Sequence, residues 1–120
     1  AKAEMLADAF GENVKVIEWS ERSSALASCG LLVNTTSIGM TGQPALDIVL
    51  EDLPSTAVVY DIVYSPLETP LLAAARARGN QGVDGLGMLL HQATPGFEAW
   101  FGVKPVVDTT LRDVILADLT

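Results

Sequence analysis

Short apolar runs that break off in a loop and give way to helix-start chemistry recur along this chain, and that alternation constrains its fold more than any other feature. Leu31 to Thr36 opens as a continuous apolar run rather than an alternating one, the pattern of a strand covered on both faces. Val58 to Tyr64 is rich in β-branched and aromatic residues and predicts another strand. Thr69 then stands as a cap before Pro70, the first position of a helix whose apolar face is Leu71, Leu72 and Ala75 and whose end is Gly79. Gln81 to Asp84 forms a short strand or turn leading into Gly85.

The flanking segments read less uniformly. Ala3, Met5, Leu6, Ala9 and Phe10 have helical spacing, stopped by Gly11. Val14 to Trp19 is a strand candidate, and Ser20 is placed to cap a short helix that ends near Cys29, with Gly30 beyond it. Ser37 to Pro44 is a glycine-containing loop, and Ala45 to Leu53 is a short helix or irregular. Leu86 to Phe101 predicts a long helix with Leu86, Leu89, Leu90, Ala93, Phe97, Trp100 and Phe101 at three/four spacing. Pro95 and Gly96 predict a kink or break within it. Thr109 to Leu119 is a last helix with Leu111, Val114 and Ile115 on one face. Strands alternating with helices imply an α/β fold, a parallel sheet flanked by helices, and 120 residues suit one domain.

Composition then removes several classes of function. Only seven Lys and Arg, scattered along a chain of net charge −8, give no cationic footprint for a nucleic acid. The single cysteine, Cys29, cannot close an internal disulfide, which suits the cytoplasm. One Cys and one distant His build no metal cluster. The longest apolar runs are too short to span a membrane. The chain opens without an initiator Met and inside a helical pattern, so it is expected to be a piece of a longer protein.

In parallel sheets, ligands sit at the carboxyl ends of the strands. Three segments lie there. The first, Asn34-Thr35-Thr36-Ser37-Ile38-Gly39-Met40, offers small hydroxyls and a close backbone approach, or else a satisfied turn. In the second, from Tyr60 to Pro70, Asp61 lies in an apolar strand, requires a partner such as a backbone N–H or a loop hydroxyl if buried, and reads as a structural Asp that anchors the neighbouring loops. Tyr64 there is either a ligand-facing phenol or a core-edge tyrosine. The third is Asp84-Gly85-Leu86-Gly87-Met88-Leu89-Leu90-His91-Gln92, where two glycines open a helix and Met88 is either a soft wall for a ring or ordinary core. Gln92 is either within reach of that site or solvated. His91, with no identifiable partner, reads as a surface or helix-packing residue. No complete glycine-rich phosphate loop occurs in the chain.

In order and spacing, Asn34 to Met40, Asp61 to Pro66 with Thr69-Pro70-Leu71-Leu72, and Asp84 to Leu89 followed by Gln92 resemble the shikimate dehydrogenases. Phe97, Trp100 and Gly102 continue the pattern, and the resemblance runs from about Val14 to the C-terminus. It implies the C-terminal part of a Rossmann-like NADP-binding domain. Residues 86–120 would be C-terminal helices that pack on an N-terminal substrate domain. The implied activity is NADPH-dependent reduction of 3-dehydroshikimate to shikimate, toward aromatic amino acids. The implied cofactor neighbours are Thr36, Ser37, Ile62, Gly85 and Met88, and the implied substrate contacts are Tyr64 and Gln92. The family's proton-transferring lysine and aspartate, and its phosphate loop, match no position here. The 120 residues alone are therefore expected to be inactive.

Two other readings compete. Loss of the substrate domain would leave a non-catalytic fragment that associates with a second chain or with itself through Trp100, Phe101, Leu111, Val114 and Ile115. A phosphoacceptor receiver module has this size and an Asp at position 61, yet no acidic pair for Mg²⁺ follows Trp19.

Overall fold

The computed structural model describes residues 2–119. Three parallel strands form one sheet in the order β1 (Leu31–Asn34), β2 (Val58–Asp61), β3 (Gln81–Val83). Leu31 pairs with Val58 and Asn34 with Asp61 across the first ladder, while Val58 pairs with Gln81 across the second. The helices are α1 (Lys2–Phe10), α2 (Pro70–Ala77), α3 (Leu86–Phe101) and α4 (Thr109–Leu119). The expected α/β class and parallel sheet are thus present.

α2 begins where its residues dictate. The Thr69 hydroxyl accepts from the Leu72 N–H, and Pro70 occupies the first turn, where a missing N–H costs nothing. Its buried face, Leu71, Leu72 and Ala75, packs with Leu26, Leu50, Leu53, Ala57 and Val59 into the main core. Asn80, buried after the helix, donates to the carbonyls of Pro54 and Ala57 and ties this end of the core to the loop before β2.

Several expectations need correction. Val14 to Trp19 is not a strand: residues 14–18 have no ladder partner among the described residues, and Trp19–Glu21 is a turn of 3₁₀ helix. Ile17 and Trp19 share the lining of an apolar gap of about 330 Å³ with Leu32 and Val33 of β1, so this segment faces the sheet edge across a space instead of pairing with it. Ser20 caps nothing; the second helical stretch, Ser24–Ser28, is also 3₁₀ and makes no side-chain cap. β1 is not covered on both faces, since Leu31 is 56% exposed among the described residues. β1 and β2 each end earlier than predicted, at Asn34 and Asp61, because the chain turns there into the loops.

α3 continues unbroken through Pro95 and Gly96. A proline removes one rung of the ladder, and the remaining bonds of this sixteen-residue helix keep it continuous. Its stripe is not buried as a whole. Leu86 is enclosed, Leu89, Leu90, Ala93 and Phe97 face Val107 and Leu111 across an apolar gap, and Trp100 and Phe101 stay exposed. Because Pro95 is itself exposed, Pro95→Ala restores an N–H without emptying the core, and stability to urea is expected to rise by about 2 kcal/mol. An unchanged unfolding midpoint would show that the strain at Pro95 is already relieved.

Candidate functional site

Beyond β2 the chain leaves the ladder but not the sheet's edge. The Ile62 N–H donates to the Asn34 carbonyl at 3.2 Å, and the Gly85 N–H to the Val63 carbonyl at 3.1 Å. These two bonds bring the ends of all three strands together. Gly85 lies directly on the Ile62–Val63 backbone, so closely that no side chain fits between them. α3 starts at that point, with Asp84 accepting from the Leu86 N–H and also from Arg112 of α4 at 2.7 Å.

A cavity of about 250 Å³ opens over this junction, and Thr36, Ser37, Met40, Ile62, Tyr64 and Met88 are among its lining residues. Five of the seven expected site residues therefore meet in one place: Thr36, Ser37, Ile62, Tyr64 and Met88. Gly85 lies beneath, as the contact that sets Ile62. Gln92 does not line the cavity; it is exposed on α3, one turn beyond Met88 on the same face. Thr35, Met40 and Val63 complete the lining and are not among the site residues that the sequence singles out. Met40 is visible in the sequence as the last residue of the first loop. Val63 is buried and becomes part of the wall only because Gly85 fixes its backbone.

The first loop is held by its own side chains. The Asn34 Oδ1 accepts from the Thr36 N–H at 3.1 Å and the Thr36 hydroxyl at 2.7 Å, and the Ile38 N–H donates to the Thr36 Oγ1 at 3.1 Å. The Thr36 hydroxyl is thus committed to the turn, and its methyl group and remaining lone pair are what it can present to a ligand. Ser37, at the exposed tip, carries no side-chain hydrogen bond among the described residues. The second loop is fastened to the first where the Thr41 N–H donates to the Ser65 carbonyl at 2.9 Å. Asp61, fully buried, accepts from three donors, which meets the expectation that it needs partners. Burial also removes it as a surface phosphoacceptor, and no group of three metal-ligating side chains occurs among the described residues.

Chemically the cavity is a largely apolar slot lined by Met40, Met88, Ile62 and Val63, with the hydroxyl-bearing Thr35, Thr36, Ser37 and Tyr64 in the same lining. Such a slot suits a flat heteroaromatic ring with polar groups at its edge. It contains no lysine, histidine or carboxylate to exchange a proton.

Residues 85–112 match the family described as the Shikimate 5'-dehydrogenase C-terminal domain. The chain is 60% identical over 118 residues to the shikimate dehydrogenase (NADP(+)) of Rhodopseudomonas palustris strain HaA2, covering 98% of itself and 42% of that protein. Among solved structures it is similar to quinate dehydrogenase from Corynebacterium glutamicum in complex with NAD, with a TM-score of 0.79 and 33% identity over 96% of this chain and 41% of the other. It is also similar to shikimate 5-dehydrogenase from Thermus thermophilus in complex with NADP(H) and shikimate, with a TM-score of 0.71 and 31% identity over 86% of this chain and 37% of the other. The sheet described above is thus part of a Rossmann-like sheet, and the chain spans about two fifths of the length of the curated relatives it matches.

Proposed function

Because the chain belongs to the shikimate dehydrogenase family, we propose that it forms the cofactor wall and part of the substrate wall of an enzyme that reduces 3-dehydroshikimate to shikimate with NADPH. The observation that carries this reading is the single slot into which three separate strand ends deliver Ser37, Ile62, Tyr64 and Met88.

When bound, the nicotinamide supplies a hydride to the substrate's ring ketone. Met88, Ile62 and Met40 form the apolar side of its ring site. Thr36 and Ser37 would flank the cofactor, and Gly85 fixes the backbone of Ile62 beside that site. The Tyr64 phenol donates to a substrate hydroxyl or ketone oxygen. Gln92 reaches the same substrate from the turn of α3 beyond Met88. Positioning of this kind is a large share of what an enzyme does for a two-reactant transfer. The slot holds no lysine, histidine or carboxylate, and we assign the proton for the developing alkoxide to a group outside these residues, with the Tyr64 phenol as a hydrogen-bond donor only.

The exposed apolar surface fits the same picture. Trp100 is 80% exposed, and Phe101, Val103, Val106 and Val114 on α3, α4 and their connection are exposed as well. A substrate-binding domain of the same protein covers this surface, with a second copy of the chain as the alternative occupant. Among the described residues no helix is long and apolar enough to cross a membrane. We place the reaction in the cytoplasm, where the unpaired Cys29 stays reduced.

The test is spectrophotometric. The complete polypeptide carrying this stretch is expected to oxidise NADPH when 3-dehydroshikimate is added, and the 120 residues alone are expected not to. Tyr64→Phe in the complete polypeptide is expected to raise the KM for 3-dehydroshikimate about tenfold with little change for NADPH. Turnover by the 120 residues alone would overturn the assignment of the proton donor, and an unaltered KM in Tyr64→Phe would remove the phenol from the substrate site.

A further inference from the structure

Along the core-facing side of the sheet the side chains are apolar until the last rung. On β2, Val59 is fully buried in the main core; two residues on, at the same face, stands Asp61, also fully buried. On β1, Leu32 packs against that core, and two residues on stands buried Asn34, the register partner of Asp61. A sequence selected only for folding would continue with apolar residues here, because a buried polar pair has a desolvation cost that hydrogen bonds barely offset.

What the pair touches explains its presence. The Asn34 Nδ2 donates to the Asp61 Oδ1 and to the Ile38 carbonyl, each at 3.0 Å, while its Oδ1 shapes the turn that carries Ser37. The Asp61 Oδ1 also accepts from the Val63 N–H at 3.1 Å, the peptide just before Tyr64. The Asp61 Oδ2 accepts from the Thr69 hydroxyl at 2.7 Å, which closes the loop from 62 to 69. All three donors come from the two loops that line the slot, and none comes from the main core.

We propose that Asp61 is a positioning residue of the reaction: through Asn34 it sets the cofactor-facing loop, through Val63 and Thr69 the substrate-facing loop, and it holds the two in one register. This rests on the dehydrogenase reading above. It touches neither ligand; it acts on the distance between Ser37 and Tyr64.

The two arms can be cut separately in the complete polypeptide. Thr69→Val keeps the side chain's shape and removes only the donor to Asp61 and the helix cap. It is expected to raise the KM for 3-dehydroshikimate about tenfold and leave that for NADPH within about twofold. Asp61→Ala cuts both arms and raises both KM values. Asp61→Asn keeps the acceptor toward Asn34 and Val63, and its Nδ2 can donate to the Thr69 hydroxyl, so it is expected to bring both KM values back toward those of the wild type. If Asp61→Ala does not fold, Thr69→Val carries the test by itself. A merely structural Asp61 would give folded variants with lowered melting temperatures, lower active fractions and both KM values unchanged, and that pattern would overturn the proposal. A wild-type protein without NADPH-dependent activity would instead remove the dehydrogenase reading, and the proposal with it.

Discussion

Gly85→Ala is expected to abolish stable folding of this half of the site, with a loss of at least about 3 kcal/mol. The backbone at Gly85 is ordinary, with φ −77° and ψ −9°, so the requirement for glycine is one of space. A Cβ there would overlap the Ile62 carbonyl carbon and oxygen and lie 2.8 Å from the Val63 oxygen. All three are main-chain atoms, so no rotamer change relieves the clash. The strand end must move, and with it go the Gly85–Val63 hydrogen bond and the start of α3. Gly87, two residues on, is the control. A Cβ at Gly87 meets nothing within 4 Å, and it lies inside the helix, so Gly87→Ala is expected to stabilise by about 0.5–1 kcal/mol. Urea unfolding of the two variants should shift in opposite directions. A Gly85→Ala protein with an unchanged midpoint would mean that the junction of strand ends is looser than the contacts imply.

The same junction shows what could be read from the residues and what could not. Thr69-Pro70 announced α2 because capping is local chemistry: the hydroxyl, the N–H it serves and the missing proline donor lie within four residues. α3 ends at Phe101 as its three/four spacing predicts, and the structure adds the reason: Gly102 takes the left-handed conformation with φ +70° that closes the helix. Val14 to Trp19 has the composition of a strand but no ladder, because a strand is defined by a neighbour and composition says nothing of who stands beside it. Burial of β1 was overestimated for the same reason. The ligand loops were legible because a parallel sheet directs its strand ends to one edge whatever their sequence. The roles within them were only partly legible. Thr36 has the hydroxyl of a ligand contact, and three-dimensional closure of the turn has already committed it to Asn34 and Ile38. The buried Val63 entered the site through the packing of a glycine more than twenty residues away, a contact that no local pattern encodes.

Asn34→Asp should be the most damaging isosteric change in the chain, costing at least about 3 kcal/mol although it adds and removes almost no volume. At an exposed position the same replacement is close to neutral. Here Asn34 is 4% exposed and Asp61 is fully buried. The amide orientation is fixed by two main-chain partners whose roles are unambiguous: the Ile38 carbonyl can only accept, so Nδ2 faces it, and the Thr36 N–H can only donate, so Oδ1 faces that. Replacing Nδ2 with oxygen therefore sets acceptor against acceptor at both 3.0 Å contacts and buries two carboxyl groups side by side. Asn34→Ala removes the same bonds but introduces no charge, so its expected loss is smaller, about 1–3 kcal/mol. The ranking is the diagnostic. Aspartate below alanine in urea unfolding at neutral pH marks electrostatic repulsion rather than lost packing. Lowering the pH should return part of the aspartate variant's stability, because a protonated member of the pair regains a donor for its neighbour. The proton is bound more tightly in the folded pair than in the unfolded chain, so the recovery runs toward acid. An aspartate variant as stable as alanine at every pH would mean that Asn34 and Asp61 are not bonded to each other, and that the two ligand loops are held together without that pair, by the Ile62–Asn34 and Thr41–Ser65 main-chain bonds.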